Sequence, residues 1–196
     1  GFEVGDFLAD KYLSAAGKRR RLYINTIKAF NELMANICRQ TTSSDYSCHP
    51  KGSRIMEYRI LGKTGLKISR LGFGGIPIQK IDAEGTRKLI GELVREGVNY
   101  IDTARGYTVS EEYLGYALDG VRDKFVLATK SMARTKDAMA KDIDVSLNNL
   151  RTNYIDLYQV HNPGAADLEK VMAEGGALEA LLEAKAAGKI GHIGIT

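Results

Sequence analysis

NYIDTARGY (99–107), KFVLATK (124–130) and YIDLYQVH (154–161) are three short apolar runs, each ending near a residue able to do chemistry. Asp102 closes the apolar part of the first and Tyr107 follows five residues later; Lys130 ends the second and His161 the third. Short apolar runs of this length, rich in Val, Ile and aromatic residues, read as buried strands. A helical stretch separates each run from the next, and such alternation implies a parallel sheet. If that sheet belongs to a barrel, the carboxyl ends of all its strands share one rim, where catalytic groups gather.

Working outward, the same grammar extends from Met56 to the end of the chain. EYRIL, GKTG and LKIS (57–69) form a hairpin signal, two short runs about a Gly-containing turn. RLGFGG (70–75) reads as a short strand ending in glycines. Asp82 is placed to cap a helix with Leu89, Ile90, Leu93 and Val94 on one face, ended by Gly97. A helix is expected from about 110 to 118, and another carries Met139, Ile143, Leu147 and Leu150 on one stripe. After His161 comes a longer helical region with Leu178, Leu181 and Leu182, stopped by Gly188, and then a last strand, HIGIT (192–196). Strand and helix alternate four times, with a fifth strand left over. A closed eight-stranded barrel needs roughly 250 residues, and residues 56–196 are fewer. Alternation alone leaves two architectures open: a doubly wound sheet or part of a barrel.

The chain has 196 residues, 44% of them hydrophobic and 27% charged, the balance of a soluble globular protein. No membrane span is expected, and the first residues lack the layout of a signal peptide, so a cytoplasmic location is expected. The net charge of +4 is confined to one region. Residues 1–55 carry nine Lys/Arg against five Asp/Glu, and residues 56–196 carry nineteen of each. Cys38 and Cys48 also lie in the first segment, which excludes a disulfide-stapled core beyond it and fits a reducing compartment. Within that segment Tyr23, Ile27, Phe30, Met34 and Ile37 predict an amphipathic helix over 22–39, followed by a polar linker. The basic run Lys18–Arg21 has no interleaved aromatics and no second cluster, which argues against nucleic-acid binding. The compositional break before Met56 divides the chain into a helical extension and linker (1–55) and the strand–helix portion (56–196). An added or mis-called extension is the favoured reading of the former.

The rim residues suit proton transfer. A phenol with a pKa near 10 is a weak acid at neutral pH; an ammonium beside it favours the phenolate. Lys130 is expected to supply that ammonium and so lower the pKa of Tyr107, with Asp102 orienting the lysine. His161 would give a hydrogen bond to a carbonyl oxygen or share the proton relay. The set fits general acid catalysis at a carbonyl, and reduction would require a cofactor, since side chains supply no hydride. Taken singly, each residue has a plainer reading: a cap, a surface tyrosine, a solvated lysine, a structural histidine. Their shared rim is what favours chemistry. The glycines of GFGG (72–75) lack the spacing and helix context of a dinucleotide-binding turn.

Residues 56–196 resemble the aldo-keto reductase family, through EYRILGKTGLKISRLGFGG, NYIDTARGY, VLATK, DLYQVHN and GGALEALLEAKAAGKIGHIGIT. DTARGYTVSEEYLG and the GGALEAL helix look like the prokaryotic branch whose members often add a ferredoxin-like iron–sulfur region after the barrel. The resemblance implies an α/β fold, about five of the eight strands of a (β/α)8 TIM barrel, preceded by the hairpin. It implies NADPH or NADH as cofactor, a small carbonyl or alcohol as substrate, and no metal. A 4Fe–4S cluster is expected only in a longer form. The family's catalytic tetrad falls on Asp102, Tyr107, Lys130 and His161. Its cofactor contacts fall on Gly74, Gly75, Ile76 and Thr196, and Asn162 takes a position that borders the substrate.

The family's fifth strand ends in a pair of polar residues that hold the carboxamide. Thr196 matches the first, and strands six to eight have no counterpart in this sequence. A barrel truncated after its fifth strand is therefore expected, and with it self-association through uncovered edges. The alternative function is a catalytically inactive barrel fragment that senses a cofactor or serves as an interaction module.

Overall fold

The computed structural model describes residues 56–196. The amphipathic helix expected over 22–39, the basic run and the linker lie outside the described residues. Strands β1 (Tyr58–Ile60) and β2 (Lys67–Ser69) form the expected antiparallel hairpin, with Tyr58 opposite Ser69. The Thr64 hydroxyl donates to the Leu61 carbonyl at 2.6 Å and accepts the Leu66 amide at 3.1 Å, fixing the turn. Asn99 ties the hairpin to the rest: its side chain accepts the Ser69 amide at 2.6 Å and donates to the Lys67 carbonyl at 2.9 Å. The edge of β2 thereby finds partners outside its own two-stranded sheet.

Five strands follow, joined by helices: β3 (Phe73–Gly74), α1 (Ala83–Arg95), β4 (Tyr100–Asp102), α2 (Ser110–Ala117), β5 (Val126–Ser131), α3 (Lys136–Asn149), β6 (Ile155–Val160), α4 (Ala165–Met172), α5 (Ala177–Ala186) and β7 (Ile190–Ile195). The sheet order is β3-β4-β5-β6-β7, parallel throughout. Parallel neighbours need a long crossover, and the helices between strands supply it. Asp102 lies opposite Gly74 on one side and Ala128 on the other, while Lys130 lies opposite Gln159. These pairings bring the chemistry-bearing residues of separate strands to one end.

The helices form for local reasons, and α1 and α3 turn expected residues inward. Asp82 caps α1, its carboxylate accepting the Gly85 amide at 2.7 Å, a contact worth about 1 kcal/mol. Of its expected face Leu89 and Ile90 are buried, while Leu93 and Val94 are half-buried. On α3 the whole stripe of Met139, Ile143, Leu147 and the flanking Leu150 is buried. Against it stand the parallel strands, where Leu127, Ala128, Ile155 and Tyr158 have no exposed surface. Each large aliphatic buried in this way contributes about 1.5–3 kcal/mol. Among the described residues, no helix is long and apolar enough to cross a membrane.

Three expectations are corrected. The long helical region after His161 is two helices, because Gly175 takes a left-handed φ of 72° between them and a Cβ on the buried Gly176 would lie 2.4 Å from the Lys170 carbonyl oxygen. On α5 the buried stripe is Ala177, Ala180, Leu181 and Ala184, and Leu182 is 54% exposed. Small residues let that helix approach closely, so its core face is not its most hydrophobic one. The last strand starts at Ile190, two residues early, where it pairs with Ile155.

Candidate active site

At the carboxyl ends of the strands the sheet's hydrogen bonding continues past the strands themselves. The amides of Gly75, Thr103, Arg105, His161 and Thr196 donate to the carbonyls of Asp102, Ala128, Lys130, Ser131 and Val160, at 2.8–3.1 Å. Apart from Tyr107, whose amide donates to the Ala104 carbonyl within its own loop, each residue expected at the site, or its immediate neighbour, sits on backbone that is still tied to a neighbouring strand.

Lys130 is 4% exposed. Its ammonium is ion-paired with the Asp102 carboxylate and donates to the Thr103 carbonyl at 2.8 Å. The same nitrogen lies 5.1 Å from the centre of the Tyr107 ring, within cation–π range. The Tyr107 and His161 rings meet edge to face, 85° apart with centroids at 6.0 Å. The structure thus brings all four expected residues into one cluster. Asp102, Tyr107 and His161 are half-buried, so the cluster is open on one side.

The electrostatics correct one expectation. Burial, and then the charge of Asp102, push the Tyr107 phenol up to about 12. The sequence had suggested that Lys130 would lower it. The ammonium is engaged by Asp102 and Thr103 and lies over the ring, and burial with the Asp102 charge sets the direction at the phenol. Tyr107 holds its proton throughout the neutral range. Burial and the charge of Lys130 push His161 below the ordinary histidine value, Arg134 adds to this, and Asp102 opposes it. Its Nδ1 is buried with no hydrogen-bond partner among the described residues.

The residues expected on the cofactor side separate into two kinds. Gly74 is exposed, with open space where a Cβ would stand, and Ile76 beside it is 43% exposed. Thr196 is exposed at the end of β7, its hydroxyl accepting the Asn162 amide at 3.0 Å. The rim thus presents an uncluttered glycine and an apolar side chain after β3 and a hydroxyl after β7. Gly75 is different: it is buried, and a Cβ there would lie 2.6 Å from the Ser110 hydroxyl and 3.0 Å from that of Thr103. Its work is to let the start of α2 close against β3. Asn162 is exposed and left-handed, with φ 45°.

A second polar cluster lies beside the first and was not anticipated. Glu111, 1% exposed, takes Arg105 at 2.5 Å on one oxygen and the hydroxyls of Thr129 and Ser146 at 2.8 Å each on the other. Ser146 also lies 3.2 Å from the Tyr158 hydroxyl. Arg105 stands between Asp102 and Tyr107 in the chain, so this cluster anchors the loop that leads from Asp102 at the end of β4 to Tyr107. A carboxylate in the first turn of a helix is common, and nothing in the spacing singled out Glu111.

The Aldo/keto reductase family model matches residues 70–196. L-Galactose dehydrogenase of Arabidopsis thaliana is 34% identical over 160 residues, covering 72% of this chain and 48% of the plant protein. Aldo-keto reductase YhdN of Bacillus subtilis is 32% identical over the same length, with 72% and 47% coverage. The holo form of aldo-keto reductase AKR11C1 from Bacillus halodurans superposes with a TM-score of 0.64 at 34% identity, covering 72% of this chain and 50% of that one. The chain thus spans about half the length of the relatives it matches, and its five parallel strands correspond to part of a TIM barrel. With the family match across most of the described residues, the chain belongs to the aldo/keto reductase family.

Proposed function

We propose that the rim cluster is the proton-transfer site of an NAD(P)H-dependent oxidoreductase that interconverts a small carbonyl compound and its alcohol. The observation that carries this reading is a buried lysine, ion-paired with Asp102, beneath the face of a tyrosine whose edge-to-face partner is His161. Tyr107 is the general acid. With its phenol pushed up to about 12, it retains the proton that a developing alkoxide needs. His161 stays neutral near pH 7 and can give one hydrogen bond to the carbonyl oxygen, without adding another cation to a rim that already holds Lys130. Lys130 and Asp102 fix the Tyr107 ring and balance each other's charge. When bound, the nicotinamide cofactor supplies or accepts the hydride. Gly74, Ile76 and Thr196 would hold it, and Asn162 would border the substrate.

Because the acid form of Tyr107 is favoured, reduction is the direction suited to neutral pH. Oxidation needs the phenolate and gains as the pH rises. The test is Tyr107→Phe, which keeps the ring and removes the proton. NAD(P)H-dependent reduction of small aldehydes should fall by about 10²–10⁴-fold, while fluorescence titration shows cofactor affinity little changed. Turnover close to wild type would overturn the role of Tyr107.

A further inference from the structure

We propose that Arg134 is a positioning residue of this site: its guanidinium, anchored by Asp167, holds the main chain of the His161–Asn162 turn and so sets the angle at which the imidazole meets Tyr107. The inference rests on the reading of His161 as a carbonyl-binding residue, but its structural half stands on contacts alone. Arg134 lies three residues beyond β5, and its side chain is 14% exposed. One terminal nitrogen donates to the His161 carbonyl at 2.9 Å and reaches the Asn162 carbonyl at 3.4 Å. Its Nε lies 3.2 Å from the Asp167 carboxylate. The Arg134 carbonyl in turn accepts the Ala177 amide at 3.0 Å, so the arginine is itself held by the start of α5.

The turn needs such a clamp. Asn162 adopts φ 45°, a conformation that costs a non-glycine residue free energy and persists only where its surroundings impose it. The left-handed step turns the chain out of the β6 direction, so the carbonyls of residues 161 and 162 have no strand to receive them. Arg134 supplies the donor. The His161 amide is held from the other side by the Ser131 carbonyl at 2.8 Å, and the Asn162 amide by the Thr196 hydroxyl at 3.0 Å. With both faces of the peptide fixed, the imidazole has little freedom beyond its own side-chain torsions. A lysine could supply the charge but not the planar fork that reaches two carbonyls and a carboxylate together.

Charge and geometry can be read separately. Lys130 of β5, Asp102 of β4, Tyr107 of the loop after β4, and Arg134 are the titratable or charged groups around His161. Of these, Lys130 and Arg134 oppose its protonation and Asp102 favours it. The chain has three histidines, His49, His161 and His192, so imidazole resonances of the full chain can be assigned by single substitutions and followed against pH. Arg134→Met is expected to raise the His161 titration midpoint and to shift its ring protons as the edge-to-face contact with Tyr107 changes. Arg134→Lys keeps the charge and should leave the midpoint near wild type, yet shift the ring protons as the Met variant does. In reduction assays both variants should lower kcat, by up to about 10²-fold, with the KM for cofactor unmoved.

His192 resonances at wild-type positions certify the fold in each variant. Should Arg134→Met fail to fold, Asp167→Asn releases the same anchor from a more exposed site and should shift the His161 ring protons in the same direction, by less. Unchanged His161 ring shifts in the folded Arg134 variants, or in Asp167→Asn where it stands in for them, would overturn the proposal. A wild-type chain that reduces no carbonyl would count against the proposed function, and the ring shifts would still judge the positioning role.

Discussion

Two polar clusters lie side by side at the carboxyl end of the sheet, and they differ in how far their acid–base groups are satisfied. Around Glu111 both carboxylate oxygens have partners, Arg105 on one and Thr129 and Ser146 on the other, and the buried Arg105 Nε, without a hydrogen bond, lies 3.9 Å from the Asp142 carboxylate. Around Lys130 the ion pair is closed, but His161 keeps a buried Nδ1 with no partner among the described residues, and Tyr107 is held by ring contacts. A closed, buried network stabilises a fold, and an open one is retained where something else is to be bound. The contrast teaches which charges in this rim serve shape and which serve chemistry, although both sets draw on β5 and on the loop between β4 and α2.

The comparison breaks if the closed cluster proves to be chemical. Glu111→Ala leaves the Arg105 guanidinium, 24% exposed, without its main counter-charge and should cost about 3–5 kcal/mol of stability, the usual result of removing one partner of a buried pair. Denaturant unfolding would show it. Any loss of reductase activity should follow the folded fraction, and a fully folded Glu111→Ala with abolished turnover would move Glu111 into the other class.

A smaller effect sharpens the comparison from the open side. Burial is the larger cause of the raised Tyr107 pKa, and the Asp102 charge is the second. Asp102→Asn removes the second cause and releases the Lys130 ammonium, and both changes favour the phenolate. The basic limb of the reduction profile should therefore move to lower pH, by about one unit on the scale usual for a nearby charge. A pH–rate profile with its basic limb in place would show that Asp102 does not reach the phenol.

The smallest effect concerns acid. His161 is held below its ordinary value of 6.5, first by burial. A depressed pKa contributes stability that is complete above the unfolded value and is lost as the pH falls from there through the folded one. Stability against thermal unfolding should begin to weaken as the pH drops through about 6.5, and His161→Gln should flatten that first part of the decline. Half-exposure of the ring keeps the difference modest. Identical slopes for the two proteins would remove His161 from the list of groups under electrostatic stress.

How much of this was legible depended on whether a residue's role follows from its place on a strand. Asp102, Lys130 and His161 each lie within one residue of the end of a parallel strand, and parallel strands share a rim, so their convergence was readable without coordinates. The cap at Asp82 and the α3 stripe were readable for the same reason, being local or periodic. Glu111 was not: its partners Thr129 and Ser146 come from β5 and α3, and a buried glutamate in a first helical turn reads like an exposed one. Arg134 was hidden in the same way, its acceptors being main-chain carbonyls that carry no residue type. Spacing also gave the proximity of Lys130 and Tyr107 but no direction, and direction decides whether an ammonium meets a hydroxyl or a ring. On α5 the largest residues suggested the core face, whereas close approach selected the alanines.

The hydrogen bonds that run on past the strand ends have a consequence for motion. Loops at a barrel rim ordinarily open by local fraying, at little free-energy cost. Here the amides of Arg105 and His161 are part of the sheet's own bonding to Lys130 and Ser131, so displacing either side chain by moving its backbone means unzipping the ends of β5 and β6. His161 therefore shares the lifetime of the sheet, while Tyr107 stays on a loop that is pinned to the sheet two residues earlier, at Arg105. Adaptation to ligands of different shape then falls to exposed side chains such as Ile76, which can change rotamer in nanoseconds.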